Sequence, residues 1–266
     1  MDQAIDSLAH PAIDWSRPWY ADWREVGAPV AAGVQAGVPL HDALNAQRGA
    51  PVQFVAQEKL PAGQAYEEYI RGSGNCPMRP GLHDFFNGLV WLRLPRTKSR
   101  LNQLQAAEIE AHGVGAVRGP VRDAITLFDE NGALLDAPPP LWEALLAHDW
   151  RRLFVELRPL WDEARLLVVG HALLEKLAAP RKALTAHVWR LPAALESVAD
   201  ADAQLADQLV PALLAAKPFT PLPVLGIPAW WPENQEVSFY DDVQVFRPRR
   251  APKRKTTPPL QPTAPA

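Results

Sequence analysis

A chain of 266 residues with a single cysteine, Cys76, is not held together by an internal disulfide. It also lacks a long apolar run. The longest candidate, Leu166 to Leu174, is interrupted by Gly170 and His171 and falls short of the roughly 18 residues that a membrane-crossing helix needs. The opening MDQAIDSLAH is acidic, with no basic stretch leading into an apolar one, so no secretory leader is read in it. Absent too are a phosphate-binding glycine loop, a dinucleotide fingerprint, a nucleophile elbow and a CxxC pair. The segment GVGAVRG at 113–119 is glycine-rich, but it follows a predicted helix, where a dinucleotide turn must follow a strand. A cytoplasmic protein is the expectation these absences leave.

What the chain does have is proline and tryptophan. Its 28 Pro are about twice the usual share of about 5%, and its ten Trp are many for this length. Apolar residues make up 48%, enough for one real core interrupted by long loops. The net charge of −3 is unevenly spread. Residues 247–266 hold Arg247, Arg249, Arg250, Lys253, Arg254 and Lys255 and no acid, so the remainder carries 21 cations against 30 acids, or −9. A body that acidic is a poor partner for nucleic acid, which is bound through phosphate contacts. The tail is read as a disordered, Pro-rich extension that touches nucleic acid or anionic lipid weakly at most.

The fold class expected is α+β, a helix-dominated single domain with short strands and long Pro-rich surface loops. Residues 1–50 form a Trp/Pro-rich arm packing on the body, 51–246 the domain, and 247–266 the tail. The arm is read as irregular, with Trp15, Trp19, Tyr20 and Trp23 laid on the body. Val52 to Val55 reads as a strand and Gln64 to Arg71 as a helix. In LHDFFNGLVWLRLPRTKSRLN, Leu82, Phe85, Phe86, Leu89 and Val90 recur at three and four, a buried helical stripe. His83, Asp84 and Asn87 share the other face. Pro95 ends this helix, and Thr97 caps a second one running to Ala111. Ala124 to Phe128 and Ala133 to Leu135 read as two strands around Asn131-Gly132, with a helix from Pro120 as the alternative. Helices follow at 141–147, 151–157, 171–177 and 201–215, and a strand at 166–169. The segment 182–189 is ambiguous. Residues 217–232 are read as extended chain on the surface, and 238–246 as a last strand.

These residues carry a resemblance. His83-Asp84-Phe85-Phe86-Asn87-Gly88-Leu89-Val90-Trp91, Pro95-Arg96-Thr97-Lys98, Asn102, His112-Gly113, Arg122-Asp123-Ala124 and Asp129-Glu130-Asn131 are similar to a bacterial family, domain of unknown function 3025. Gly170-His171-Ala172, Glu175-Lys176 and Phe239-Tyr240-Asp241-Asp242 match as well, so the resemblance spans most of the chain from about Phe54 to Pro248. It implies one domain of bacterial type and no particular chemistry.

The chemistry is therefore read from the side chains. His83, Asp84, Asn87, His112, Asp123 and His171 are the candidate catalytic residues. His83, Asp84 and His171 are candidate ligands of a divalent metal, which would make a nucleophile of bound water. Lys98, Asn102, Arg118 and Lys176 are candidates to hold a small anionic substrate. The order His41, His83-Asp84 and a later Asp is similar to that of all-helical phosphohydrolases. Each residue has a plainer reading. Asp84 suits a helix N-terminus. His171 reads as a core histidine bonded to a backbone carbonyl, Lys98 and Lys176 as ion-paired, and Asp129-Glu130 as part of the turn. Two functions are carried forward: a metal-assisted hydrolase of a small anionic substrate, and a non-catalytic binding or scaffold protein whose polar residues are structural.

Overall fold

The computed structural model describes residues 13–113, 119–191 and 193–249. Its architecture is α+β and helix-dominated. The N-terminal segment, expected to be irregular, contains two helices, α1 (Arg24–Gln35) and α2 (Leu40–Asn45). Tyr20 and Trp23 before them are fully buried. Strand β1 (Gln53–Ala56), helix α3 (Tyr66–Ser73) and strand β2 (Asn75–Met78) form a unit in which the two strands pair in parallel.

Helix α4 (Leu82–Arg93) follows and is buried on nearly every side from Asp84 onward. One residue, Leu94, separates it from α5 (Pro95–His112). Pro95 thus opens a helix, where a missing N–H costs nothing. Thr97 is not the cap. The backbone N–H groups of Arg96 and Thr97 donate to the buried Asp202 carboxylate, at 3.0 and 2.8 Å, from more than a hundred residues away. Gly113 ends α5 with φ +74.

Helix α6 (Pro120–Asn131) runs into strand β3 (Gly132–Asp136), so the predicted hairpin is wrong and the alternative helix right. An Asn-Gly hairpin turn requires positive φ, and Gly132 sits at φ −73. Glycine is needed there for closeness instead. A Cβ would lie 2.4 Å from the Phe128 carbonyl oxygen and 2.6 Å from its ring.

The rest of the chain adds α7 (Pro139–Ala147), β4 (Arg165–Val168), α8 (His171–Lys176), β5 (Thr185–Trp189), α9 (Val198–Gln208), α10 (Pro211–Ala215) and β6 (Thr220–Pro223). A π-helical turn covers Arg152–Glu156. The helix expected over 201–215 is two helices, broken before Pro211 as a proline without a preceding-turn donor demands. The four-stranded sheet has the order β4-β3-β5-β6. The β3–β5 pair is parallel and the other two are antiparallel.

The stretch read as surface wrapping after Lys217 instead supplies β6 and the fully buried Leu222, Val224 and Leu225. Pro221 and Pro223 fit because β6 is an edge strand with one neighbour to satisfy. The expected last strand is a 3-10 turn, Val237–Asp241, and Tyr240 and Phe246 pack their rings on Phe154. Among the described residues no helix is long and apolar enough to cross a membrane.

Candidate active site

Helices α3, α4, α5, α6 and α8 surround a cleft of about 440 Å³. Its wall is polar because each helix turns one non-apolar face toward it. Helix α4 contributes His83, Asp84, Asn87 and Trp91, helix α5 Lys98, Asn102 and Gln105, and helix α6 Asp129 and Glu130. His171 enters from the first residue of α8, and Tyr66 and Glu67 from α3. The shared face of His83, Asp84 and Asn87 was legible from their spacing, and it does line this one cleft.

Two imidazoles meet at its wall. His83 Nε2 lies 3.1 Å from His171 Nε2, with the rings edge to face at 77°. The other nitrogen of each ring is committed. His83 Nδ1 lies 2.9 Å from Glu175 Oε2, and His171 Nδ1 lies 2.7 Å from the Asp129 carbonyl oxygen. A carbonyl and a carboxylate oxygen only accept, so both Nδ1 atoms donate. Each Nε2 of a neutral pair would then point a lone pair at the other. One proton between them removes the conflict. Burial pushes His171 down to about 4, which keeps that ring the neutral partner.

The charges around this pair are matched. Lys98 Nζ binds both Asp129 oxygens, at 2.7 and 3.0 Å, and lies 5.6 Å from the centre of the Trp91 ring. Burial opposes the Asp129 charge most, but Lys98 and the two nearby imidazoles together hold the carboxyl below its usual range. Asp84 accepts from the Arg79 backbone at 2.6 Å and from its guanidinium at 2.9 and 3.1 Å. Asn102 donates to the Glu67 carbonyl at 3.0 Å and to its carboxylate. Burial raises Glu67. Asn87 donates to the Tyr66 hydroxyl at 3.3 Å, while its own Oδ1 is buried with no partner.

The remaining sequence candidates lie elsewhere. His112 is exposed at the end of α5, with Nδ1 3.2 Å from the Glu108 carbonyl. Asp123 is exposed on the first turn of α6. Neither lines the cleft, because each sits on the outward side of a helix whose other side is buried. Lys176 is exposed and donates to Asn131 Oδ1 at 3.1 Å, also off the cleft. Arg118 lies outside the described residues. His41 is in α2, 3.6 Å from its neighbour Asp42 and away from the cleft, so the order similar to all-helical phosphohydrolases is not a spatial one.

The donor set fits a metal poorly. Both Asp84 oxygens are taken by Arg79. Among the described residues no three His, Cys, Asp or Glu side chains are grouped to hold an ion. Sequence reasoning assigned Asp129 to a turn and did not bring Glu175 to His83. The misread Asn131-Gly132 hid the first. The second needed a contact across 92 residues. Cys76 is buried, and burial pushes its thiol up to about 12, so it is no nucleophile.

Comparison with known proteins yields no matching curated protein and no matching solved structure. The family model described as protein of unknown function (DUF3025) matches residues 52–250, and the chain belongs to that family.

Proposed function

We propose that this chain is an enzyme whose cleft binds a small polar molecule and whose His83–His171 pair exchanges a proton with it. One observation carries the reading. Two imidazoles face each other nitrogen to nitrogen at 3.1 Å, with both outer nitrogens locked by acceptors. A structural histidine needs no such partner. A proton held this way sits on a half-exposed ring, His83, beside a buried one that stays neutral. Glu175 and the Asp129 carbonyl fix the tautomers and orientations, as the orienting group does for a general base. Asp84 acts through Arg79 and shapes the cleft mouth. A cytoplasmic setting belongs to this reading.

The test is turnover of a panel of amide, ester and phosphoester compounds by the wild type, His83→Gln and His171→Gln. General acid–base catalysis contributes about 10²- to 10⁴-fold, so both variants are expected to lose at least about 100-fold while remaining folded. Turnover equal in all three proteins refutes proton transfer by the pair. Tight binding without turnover in the wild type makes the chain a binding protein, the competing reading.

A further inference from the structure

The cleft also says what charge its ligand carries. Among the described residues, six Arg, Lys, Asp and Glu side chains line it: Arg79 and Lys98 against Glu67, Asp84, Asp129 and Glu130. Both cations are already spent. Arg79 forks onto Asp84, and Lys98 sits on both oxygens of Asp129. Among the described residues, an incoming anion would find no unmatched cation and two remaining carboxylates. Glu67 holds only the amide of Asn102, and no salt bridge reaches Glu130 among the described residues. The neutral groups lean the same way. Asn87 is more than nine-tenths buried in the cleft wall, and its Oδ1 accepts nothing, while its amide nitrogen is used on Tyr66. Gln105, further along the same wall, has a buried Oε1 that also accepts nothing. These oxygens are buried acceptors still waiting for donors. The surrounding body, at −9, draws cations toward the opening.

We infer that the ligand of this cleft is a small organic cation, an amine, amidine or guanidinium compound, and not an anion. Its N–H groups meet the Glu130 carboxylate, against a wall that Asn87 and Gln105 help to form. The inference rests on the cleft being the functional site, and it replaces the small anionic substrate expected from Lys98, Asn102, Arg118 and Lys176.

The experiment uses the full chain with labelled histidines at moderate salt. The cationic probes are butylamine, benzamidine and 4-guanidinobutylamine, and the anionic ones inorganic phosphate and phenyl phosphate. The His83 and His171 ring signals report occupancy, and titration gives affinity. Cationic probes are expected to shift both rings. Glu130→Gln should weaken them about tenfold, and Asn87→Asp, which adds a carboxylate at the waiting oxygen, should tighten them. Shifts caused by the anions alone overturn the cation assignment and leave the cleft standing as the site. Cation binding that leaves both rings unmoved overturns the cleft as the site, and the inference with it. No shift from either set, or affinities unchanged in both variants, overturns the inference.

Discussion

Acidification should remove a defined amount of stability through His171. Its side chain is 8% exposed, wedged between the Asp129 carbonyl and the His83 ring. In the unfolded chain it takes a proton near 6.5, and in the folded chain only near about 4. The unfolded state therefore binds more protons throughout that window. The stability of the neutral buried ring is complete above pH 6.5, is lost progressively as pH falls, and is exhausted near pH 4. At about 1.4 kcal/mol per unit the full loss is about 3 kcal/mol, of which about 2 kcal/mol is gone by pH 5. That is a large part of a typical stability of about 5–15 kcal/mol. Urea unfolding at pH 7.5 and pH 5.0 measures it, with His171→Gln as the comparison, since glutamine keeps an N–H donor and does not titrate. The wild type should lose about 2 kcal/mol more than the variant between the two pH values. Equal losses in the two proteins would refute the argument, because they would mean that the folded ring takes up its proton as readily as a free imidazole.

Three further outcomes follow from contacts at or near the cleft. Lys98→Met should cost about 3–5 kcal/mol in urea unfolding, because it leaves the Asp129 carboxylate without its cation; the double change Lys98→Met with Asp129→Leu should cost less than the single one. Asp202→Ala should cost about 2 kcal/mol by the same assay, because the Arg96 and Thr97 N–H groups at the start of α5 lose their acceptor. Gly170→Ala should shift the His171 ring resonances and lower the melting temperature. A Cβ there would stand 2.5 Å from the backbone of Glu130 and Asn131, which must move. Unchanged histidine signals in that variant would show that the junction tolerates the methyl group.

Much of the scaffold was readable because burial leaves a periodic trace. The spacing of Phe85, Phe86 and Leu89 marked α4, and the same spacing put His83, Asp84 and Asn87 on one face. The plain readings of Lys98 and His171 also describe real contacts: Lys98 is ion-paired, and His171 does bind a backbone carbonyl. What stayed hidden were contacts between distant segments. Nothing local ties Glu175 to His83 or Asp202 to Thr97. The Asn131-Gly132 dipeptide was misleading for a different reason. Glycine serves there as a missing side chain beside Phe128 and not as a source of positive φ, and the two uses look identical in a sequence. The prolines after Lys217 misled likewise, since an edge strand accepts them and the sequence does not say which strand is at the edge.

Tyr20 carries a consequence for how the family's boundary is drawn. Its ring stacks on Phe86 of α4 at 5.6 Å, and its hydroxyl donates to the Leu174 carbonyl of α8 at 2.8 Å. Nearby, Trp23 donates to the Val168 carbonyl and Arg165 pairs with Asp22. Those two helices bring the His83 and His171 rings together, with Glu175 at the outer nitrogen of His83. The ruler that spaces the imidazoles is thus a tyrosine more than thirty residues ahead of the recognisable family segment, which begins at residue 52. A chain cut at that residue would strip α4 of its stacking partner and leave two buried carbonyls bare. The stretch by which the family is recognised is shorter than the unit that must fold for its cleft to exist.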